Sequence, residues 1–167
     1  MSKSNSYRAG KHFLQIPGPS NVPDRVLRAM AQPTIDHRGS EFAELTLRIL
    51  DKLALVFKTS SPVFIFPASG TGGWESALLN TLSPRDKVLA FETGHFAILW
   101  KDVAEKLGLE VEWVTGDWRH GIDPAVVEER LRADNGNEIK AVLALHNETS
   151  TGATSRIKQI RAAMDAA

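Results

Sequence analysis

Short β-prone runs alternate with helix-forming segments along most of this 167-residue chain. The predicted strands are Val63–Phe66, Val88–Phe91, Glu110–Val114 and Ala141–Leu145. A helical segment between two strands favours a crossover connection, which makes the strands parallel and covers both faces of the sheet. The pattern therefore predicts a three-layer α/β/α fold with a mostly parallel sheet.

Helix signals bound the intervening segments. Helices are predicted over residues 24–31, over 41–57 with Ser40 as the N-cap, over 74–80, over 95–107 with Gly108 at the end, over 124–133 after the N-cap Asp123, and from Ser155 to the C-terminus. Residues 1–23 are predicted to be an N-terminal arm and a proline-rich turn. Residues 24–167 are predicted to belong to one domain.

Composition excludes several classes of function. Twenty basic and twenty acidic side chains balance, so no net field attracts a nucleic acid or a membrane surface. There is no cysteine, and no two of the five histidines are four residues apart, so no metal site is predicted. No apolar run is long enough to span a bilayer. We expect a soluble, cytoplasmic protein.

A glycine-rich segment, Ser69–Gly73, lies between the run Val63–Phe66 and the helical segment that starts at Trp74. The first turn of a helix has unpaired N–H groups and partial positive charge, and glycines let an anion approach the backbone closely. The segment lacks the further residues of a dinucleotide fingerprint or a nucleotide-binding P-loop. We predict a phosphate site formed by Ser69, Gly70, Thr71, Gly72 and Gly73; the alternative is a turn that binds nothing.

Two more loops follow predicted strands and are expected at the same edge of the sheet. In open α/β sheets, ligands bind beyond the carboxyl ends of the strands. Phe96 would add an aromatic face and Thr149 a hydroxyl group, which together with a phosphate site suit a phosphorylated, hydroxylated, planar ring. The alternatives are that Phe96 packs in a helix core and that residues 147–149 only cap the loop.

Four motifs extend over nearly the whole chain in a fixed order. They are Ile16–Pro23, Ser69–Leu78, Thr93–Trp100 and His146–Gly152. In this order and at these separations they resemble the large domain of the class V aminotransferases, which belong to fold type I of the pyridoxal-phosphate enzymes. The residues of these motifs are most similar to those of the branch that uses glyoxylate with serine or alanine.

The resemblance implies a cofactor, pyridoxal 5′-phosphate, and roles for individual residues. Thr71, Gly72 and Gly73 would bind its phosphate, Phe96 would stack on its ring, and Thr149 would hydrogen-bond on the side of its phenolic oxygen. The substrate side is expected to include Pro17, Gly18 and Asn21.

The implied reaction moves an amino group from serine, or alanine, to glyoxylate, giving glycine and hydroxypyruvate, or pyruvate. The implied partners are an amino acid, a 2-oxo acid and a second copy of the chain in a homodimer.

One departure from the family pattern concerns catalysis. The resemblance implies that the Schiff-base lysine and the aspartate at the pyridine nitrogen lie beyond Ala167, so no catalytic residue is expected in this chain. The chain would then be an N-terminal portion of the enzyme, inactive alone. The alternatives are another class V enzyme, similar to cysteine desulfurases or phosphoserine aminotransferases, and a non-catalytic half-protein that binds a phosphorylated ligand or dimerises. A peroxisomal location stays open beside the cytoplasmic one.

Overall fold

The computed structural model describes residues 13–167, which fall into two units that meet in sequence between Phe66 and Pro67. The first unit contains α1 (Asp24–Met30) and α2 (Ser40–Phe57). The second contains, in order, α3 (Gly70–Thr81), β1 (Lys87–Phe91), α4 (His95–Lys106), β2 (Glu110–Val114), α5 (Pro124–Ala133), β3 (Ile139–Leu143) and α6 (Ile157–Ala166). The predicted arm over residues 1–12 lies outside the described residues.

The three strands of the second unit form one parallel sheet in the order β2-β1-β3. In the centre, Val88 is opposite Val111 on one side and Ala141 on the other. Among the described residues, β2 and β3 each have one partner strand, so both are edges. The predicted parallel sheet is confirmed.

The alternation of side chains along β1 divides the core into two layers, because successive residues of a strand point to opposite faces. Val88 and Ala90 pack in one cluster with Leu78 of α3 and Ala104 of α4. The opposite cluster contains Leu89 and Phe91 of β1, Val127 of α5, and Ile160 and Ala163 of α6. The sheet is therefore covered by α3 and α4 on one face and by α5 and α6 on the other, which confirms the three-layer fold.

The prediction of a strand over Val63–Phe66 is wrong. The segment belongs to no strand, and the side chains of Phe64 and Phe66 are 75% and 72% exposed. A β-prone composition forms a strand only where a neighbouring backbone supplies ladder hydrogen bonds, and no described residue pairs with this run.

The bounds of α2, β3 and α6 also differ from the prediction. Ser40 is the first residue of α2 and Gly39 is its N-cap, so Ser40 does not cap the helix. β3 begins and ends two residues earlier than predicted, at Ile139 and Leu143. Ser155 does not open the last helix: its buried hydroxyl accepts a hydrogen bond from the Ile122 N–H at 3.2 Å, and α6 begins at Ile157.

Two capping predictions at α4 and α5 are confirmed. Asp123 accepts a hydrogen bond from the Ala125 N–H at 2.9 Å, and Pro124 occupies the first position of α5. After α4, Gly108 adopts a φ of 81°, a conformation that glycine reaches without steric cost. These local signals therefore place the elements around the sheet correctly.

Candidate functional site

The glycine-rich segment forms the first turn of α3 rather than a separate turn before it. The helix begins at Gly70 with Ser69 as its N-cap, and no side chain caps this end. The Gly72 N–H donates to the Ser69 carbonyl at 3.0 Å, whereas the N–H groups of Gly70 and Thr71 have no acceptor within the second unit. No acidic residue lies in this turn, so its partial positive charge is not offset locally.

The three glycines of this turn differ in what surrounds them. A Cβ atom on Gly72 would lie 2.7 Å from the Ala68 Cβ, so internal packing requires glycine there. A Cβ atom on Gly70 or Gly73 would meet nothing within 4 Å. The fold of the chain does not account for glycine at these two positions, but a ligand held against the backbone of the turn would.

Trp74 connects this turn to the start of α4. Its ring stacks on Trp100 of α4 at 5.5 Å between centroids, and it meets the Phe96 ring edge-on at 6.4 Å. Aromatic pairs in these geometries stabilise a contact beyond the area they bury. The half-buried Phe96 is therefore held beside the helix that carries Ser69–Gly73.

The loop after β3 folds back on itself and presents Thr149 at its tip. The Glu148 N–H donates to the Ala153 carbonyl at 2.9 Å, and the Gly152 N–H donates to the Glu148 carbonyl at 2.8 Å. Thr149 lies in the turn that these bonds close, with its side chain exposed. Its hydroxyl group is thus available at the carboxyl end of the sheet.

Glu148 caps α4 from this loop. Its side chain is 1% exposed. One carboxylate oxygen, Oε1, accepts hydrogen bonds from the Phe96 N–H at 3.3 Å, the Ser150 N–H at 3.0 Å and the Ser150 hydroxyl at 2.7 Å. The other, Oε2, accepts from the Ala97 N–H at 3.0 Å.

All four N–H groups at the start of α4 are therefore paired. Glu148 accepts from two of them, the His95 N–H donates to the Ser150 hydroxyl at 3.0 Å, and the Ile98 N–H donates to the Gly94 carbonyl at 3.3 Å. The contrast with α3 is chemical. The positive end of α4 is neutralised by a carboxylate of the same unit, whereas the start of α3 has no such partner within the second unit and can receive another anion.

Gly94 makes this close approach possible. Its φ of 156° is one that residues with a side chain rarely adopt. A Cβ atom here would lie 2.6 Å from the Glu148 Cγ and 2.7 Å from the Ser150 Oγ. A larger residue would force the carboxylate away from the helix.

Burial and hydrogen bonding act in opposite directions on the pKa of Glu148. Desolvation favours the neutral form, while the hydrogen bonds from Ser150, Ala97 and Phe96 favour the carboxylate. The hydrogen bonds prevail and lower the pKa of Glu148 below its ordinary value. The carboxylate is therefore charged at neutral pH, as a cap of a helix N-terminus requires.

Thr93 adds a polar atom whose partner is missing among residues 13–167. Its side chain is 3% exposed, and its hydroxyl oxygen makes no hydrogen bond there. Thr93 also lines a cavity of about 200 Å³ at the carboxyl ends of β1 and β2. The cavity wall includes Glu92, Asp117 and His120, and none of the residues predicted for the phosphate and ring site.

The structure thus brings Ser69–Gly73 and Phe96 together through Trp74, and Phe96 and Thr149 together through Glu148. Glu148 itself is the residue that sequence reasoning missed. Its partners on α4 are 51 and 52 residues earlier in the chain, so no local pattern marks it.

The residues predicted for the substrate side, Pro17, Gly18 and Asn21, lie in the first unit. There the Asn21 side chain accepts a hydrogen bond from the Leu14 N–H at 2.8 Å, which closes the proline-rich turn. Their role toward a substrate stays a prediction. In residues 13–167, no helix is both long and apolar enough to cross a membrane.

Comparison with known proteins adds a family to this geometry. The model of the family described as aminotransferase class-V matches residues 12–167. Serine–glyoxylate aminotransferase of Methylorubrum extorquens is 51% identical over 161 residues, which are 96% of this chain and 40% of that protein. L-aspartate–glyoxylate aminotransferase of Paracoccus denitrificans is 48% identical over 153 residues, or 91% of this chain and 39% of that protein.

A solved structure agrees with these relatives. The ureidoglycine–glyoxylate aminotransferase of Bacillus subtilis superposes with a TM-score of 0.81 at 26% identity, over 96% of this chain and 41% of the other. The chain thus spans about 40% of the length of the relatives that it matches.

Proposed function

The chain belongs to the aminotransferase class-V family, and we propose that its second unit supplies the phosphate- and ring-binding part of a pyridoxal-phosphate site in an enzyme that transfers an amino group to glyoxylate. The observation that carries the proposal is the uncapped start of α3, which lies beside Phe96. The family match connects this geometry to an activity.

The residues present fit the phosphate group of the cofactor. The N–H groups of Gly70 and Thr71, which have no acceptor within the second unit, and the hydroxyl groups of Ser69 and Thr71 are donors suited to a phosphate. The open space at Gly70 and Gly73 admits a ligand against the backbone.

Two residues would hold the ring. Phe96 would stack on one face of it, and the exposed Thr149 hydroxyl would hydrogen-bond to its phenolic oxygen. When bound, pyridoxal phosphate would supply an electron sink for the chemistry at the substrate Cα. The contribution of this chain is to bind the phosphate and to orient the ring.

We propose that neither lysine of the sheet anchors the cofactor covalently. Lys87 and Lys140 lie on β1 and β3 at the amino ends of the strands, the edge opposite the starts of α3 and α4. Lys87 pairs there with Glu112 at 3.2 Å, and the Lys140 ammonium group donates to the Asn137 carbonyl at 2.6 Å. We propose that residues 1–167 alone do not catalyse transamination.

Glyoxylate is the acceptor supported by the relatives, since the names of both relatives and of the solved structure include it. Serine is the proposed donor, because the serine–glyoxylate enzyme has the higher identity of the two relatives; aspartate is the donor in the name of the other. The homodimer stays a prediction from the resemblance, and the cytoplasmic location stays a prediction from the composition of the sequence.

Gly70→Asp tests the site. The new carboxylate would occupy the start of α3 without a clash, because a Cβ atom there meets nothing within 4 Å. Electrostatic repulsion between this carboxylate and a phosphate at the same helix end should weaken binding of pyridoxal phosphate about tenfold or more. Binding of pyridoxal, which has no phosphate, should be unchanged. The matched control is Gln159→Asp, which adds the same charge to the exposed first turn of α6.

The measurements use the protein produced from its native gene at its full length, with binding followed by the absorbance of the cofactor. Formation of hydroxypyruvate from serine and glyoxylate is measured in parallel. Equal loss of affinity in both aspartate variants would refute the assignment of the phosphate to α3. Binding of the cofactor without any transamination would favour the alternative of a non-catalytic binding protein.

A further inference from the structure

We propose that Glu148 is a positioning residue for the ring of the cofactor: its carboxylate fixes the first turn of α4, and with it Phe96, against the loop that carries Thr149. The proposal rests on the proposed function, because that function assigns Phe96 and Thr149 to the ring. It adds a residue that touches neither the phosphate nor the ring in the assignment above.

A single oxygen atom connects the two segments. Glu148 Oε1 accepts from the Phe96 N–H at 3.3 Å and also from the N–H and hydroxyl groups of Ser150, at 3.0 and 2.7 Å. Thr149 lies between Glu148 and Ser150 in the chain, so its backbone is held on both sides. The separation of Phe96 from Thr149 is therefore set by bonds to one carboxylate.

The carboxylate has little freedom to move. It is almost fully buried, it accepts four hydrogen bonds, and it packs against the backbone of Gly94, where even a methyl group would overlap its Cγ. A displacement would leave the buried Ala97 N–H without an acceptor. Such over-determined side chains can hold a binding group within the narrow tolerance that a site requires.

Glu148 acts on the ring part of the site and not on the phosphate part. Its hydrogen bonds go to α4 and to its own loop, whereas the proposed phosphate donors are on α3. Loss of its charge should therefore change affinity for a ligand with a ring and leave affinity for phosphate unchanged. A general loss of folding would weaken both.

Glu148→Gln separates these cases in the full-length protein from the native gene. The probes are inorganic phosphate and pyridoxamine 5′-phosphate, which has no aldehyde to react with a lysine. We expect the dissociation constant of pyridoxamine phosphate to rise about tenfold or more, since stacking and a hydrogen bond are both disturbed. The constant for phosphate should stay within about twofold. The circular dichroism signal of bound pyridoxamine phosphate, divided by the amount bound, should also change.

The matched control is Glu129→Gln, an exposed glutamate on α5, which should change none of the three readouts. Because Glu148→Gln removes a buried charge, Ser150→Ala serves as a milder variant. It removes the hydroxyl that bridges the His95 N–H and Glu148, on an exposed side chain. Ser150→Ala should also weaken binding of pyridoxamine phosphate, by a smaller factor, and leave the affinity for phosphate unchanged.

The outcomes separate the two proposals. A wild-type protein that binds neither probe refutes the proposed function, and this inference with it. A wild-type protein that binds both, with affinity and ring dichroism unchanged in Glu148→Gln, refutes the inference alone. Equal loss of both probes also refutes it, because Glu148 would then support the fold and not the ring. If Glu148→Gln does not fold, unchanged binding of pyridoxamine phosphate to Ser150→Ala refutes it.

Discussion

Replacement of Glu148 by glutamine should destabilise the protein far more than its small change in shape suggests. The amide keeps one acceptor oxygen, which can serve Phe96 and Ser150 from the position of Oε1. Its NH₂ group then faces the Ala97 N–H, so two hydrogen-bond donors meet at a buried position and the N–H loses its acceptor. The lost charge also no longer complements the positive end of α4.

The magnitude follows from these two changes. A buried donor left without an acceptor costs about 1–3 kcal/mol, and loss of the charge at a partly buried helix end costs up to about 2 kcal/mol. We therefore expect the free energy of unfolding to fall by about 2–4 kcal/mol at pH 7. Urea unfolding followed by far-ultraviolet circular dichroism measures this loss. Glu129→Gln on the exposed side of α5 should stay within about 0.5 kcal/mol of wild type.

The same loss should depend on pH with a fixed sign. The folded pKa of Glu148 lies below the unfolded value, so the folded state binds the proton less tightly. The charged carboxylate thus contributes stability in full above the unfolded pKa of about 4.3, and the contribution is lost as pH falls through the folded pKa. A loss below about 1 kcal/mol at pH 7 would refute the reasoning. So would a difference from wild type that does not shrink in acid.

Two further changes test the packing around the site and the start of α5. Gly94→Ala should lower the free energy of unfolding by about 2 kcal/mol or more, because the new Cβ would overlap Glu148 and the φ of residue 94 is strained for alanine. In the same urea titration, Gly70→Ala should stay within about 0.5 kcal/mol of wild type. Equal midpoints for the two alanine variants would contradict the packing at Gly94. Asp123→Ala removes the acceptor of the Ala125 N–H and should cost about 1 kcal/mol, measured by thermal unfolding; an unchanged melting temperature would show that Asp123 does not stabilise α5.

The elements that sequence patterns predicted well are those whose signals are local. Asp123 and Pro124 mark the start of α5 within two residues, and Gly108 ends the α4 region by its own conformation. The bounds of β2 agree with the prediction residue for residue. The alternation of these elements was enough for the parallel, three-layer arrangement.

The failures concern features that depend on distant residues. Val63–Phe66 has the composition of a strand, yet no described backbone pairs with it. The glycine-rich segment was correctly connected to a helix, but its glycines lie inside the first turn, which the low helix propensity of glycine argues against. In the sequence, Glu148 looks like an ordinary polar loop residue, because its partners on α4 are brought to it only by the fold.

The length of chain between Glu148 and its partners has a consequence for the order of folding. The carboxylate bonds to N–H groups 51 and 52 residues earlier, and β2, α5 and β3 lie between them in the chain. We expect these bonds to form after the intervening elements have docked. Closing so long a loop has an entropic cost that local helix formation does not. The start of α4 should therefore exchange its amide hydrogens until β3 is in place, and the amides of Phe96 and Ala97 report assembly of the candidate site as one of the last steps of folding.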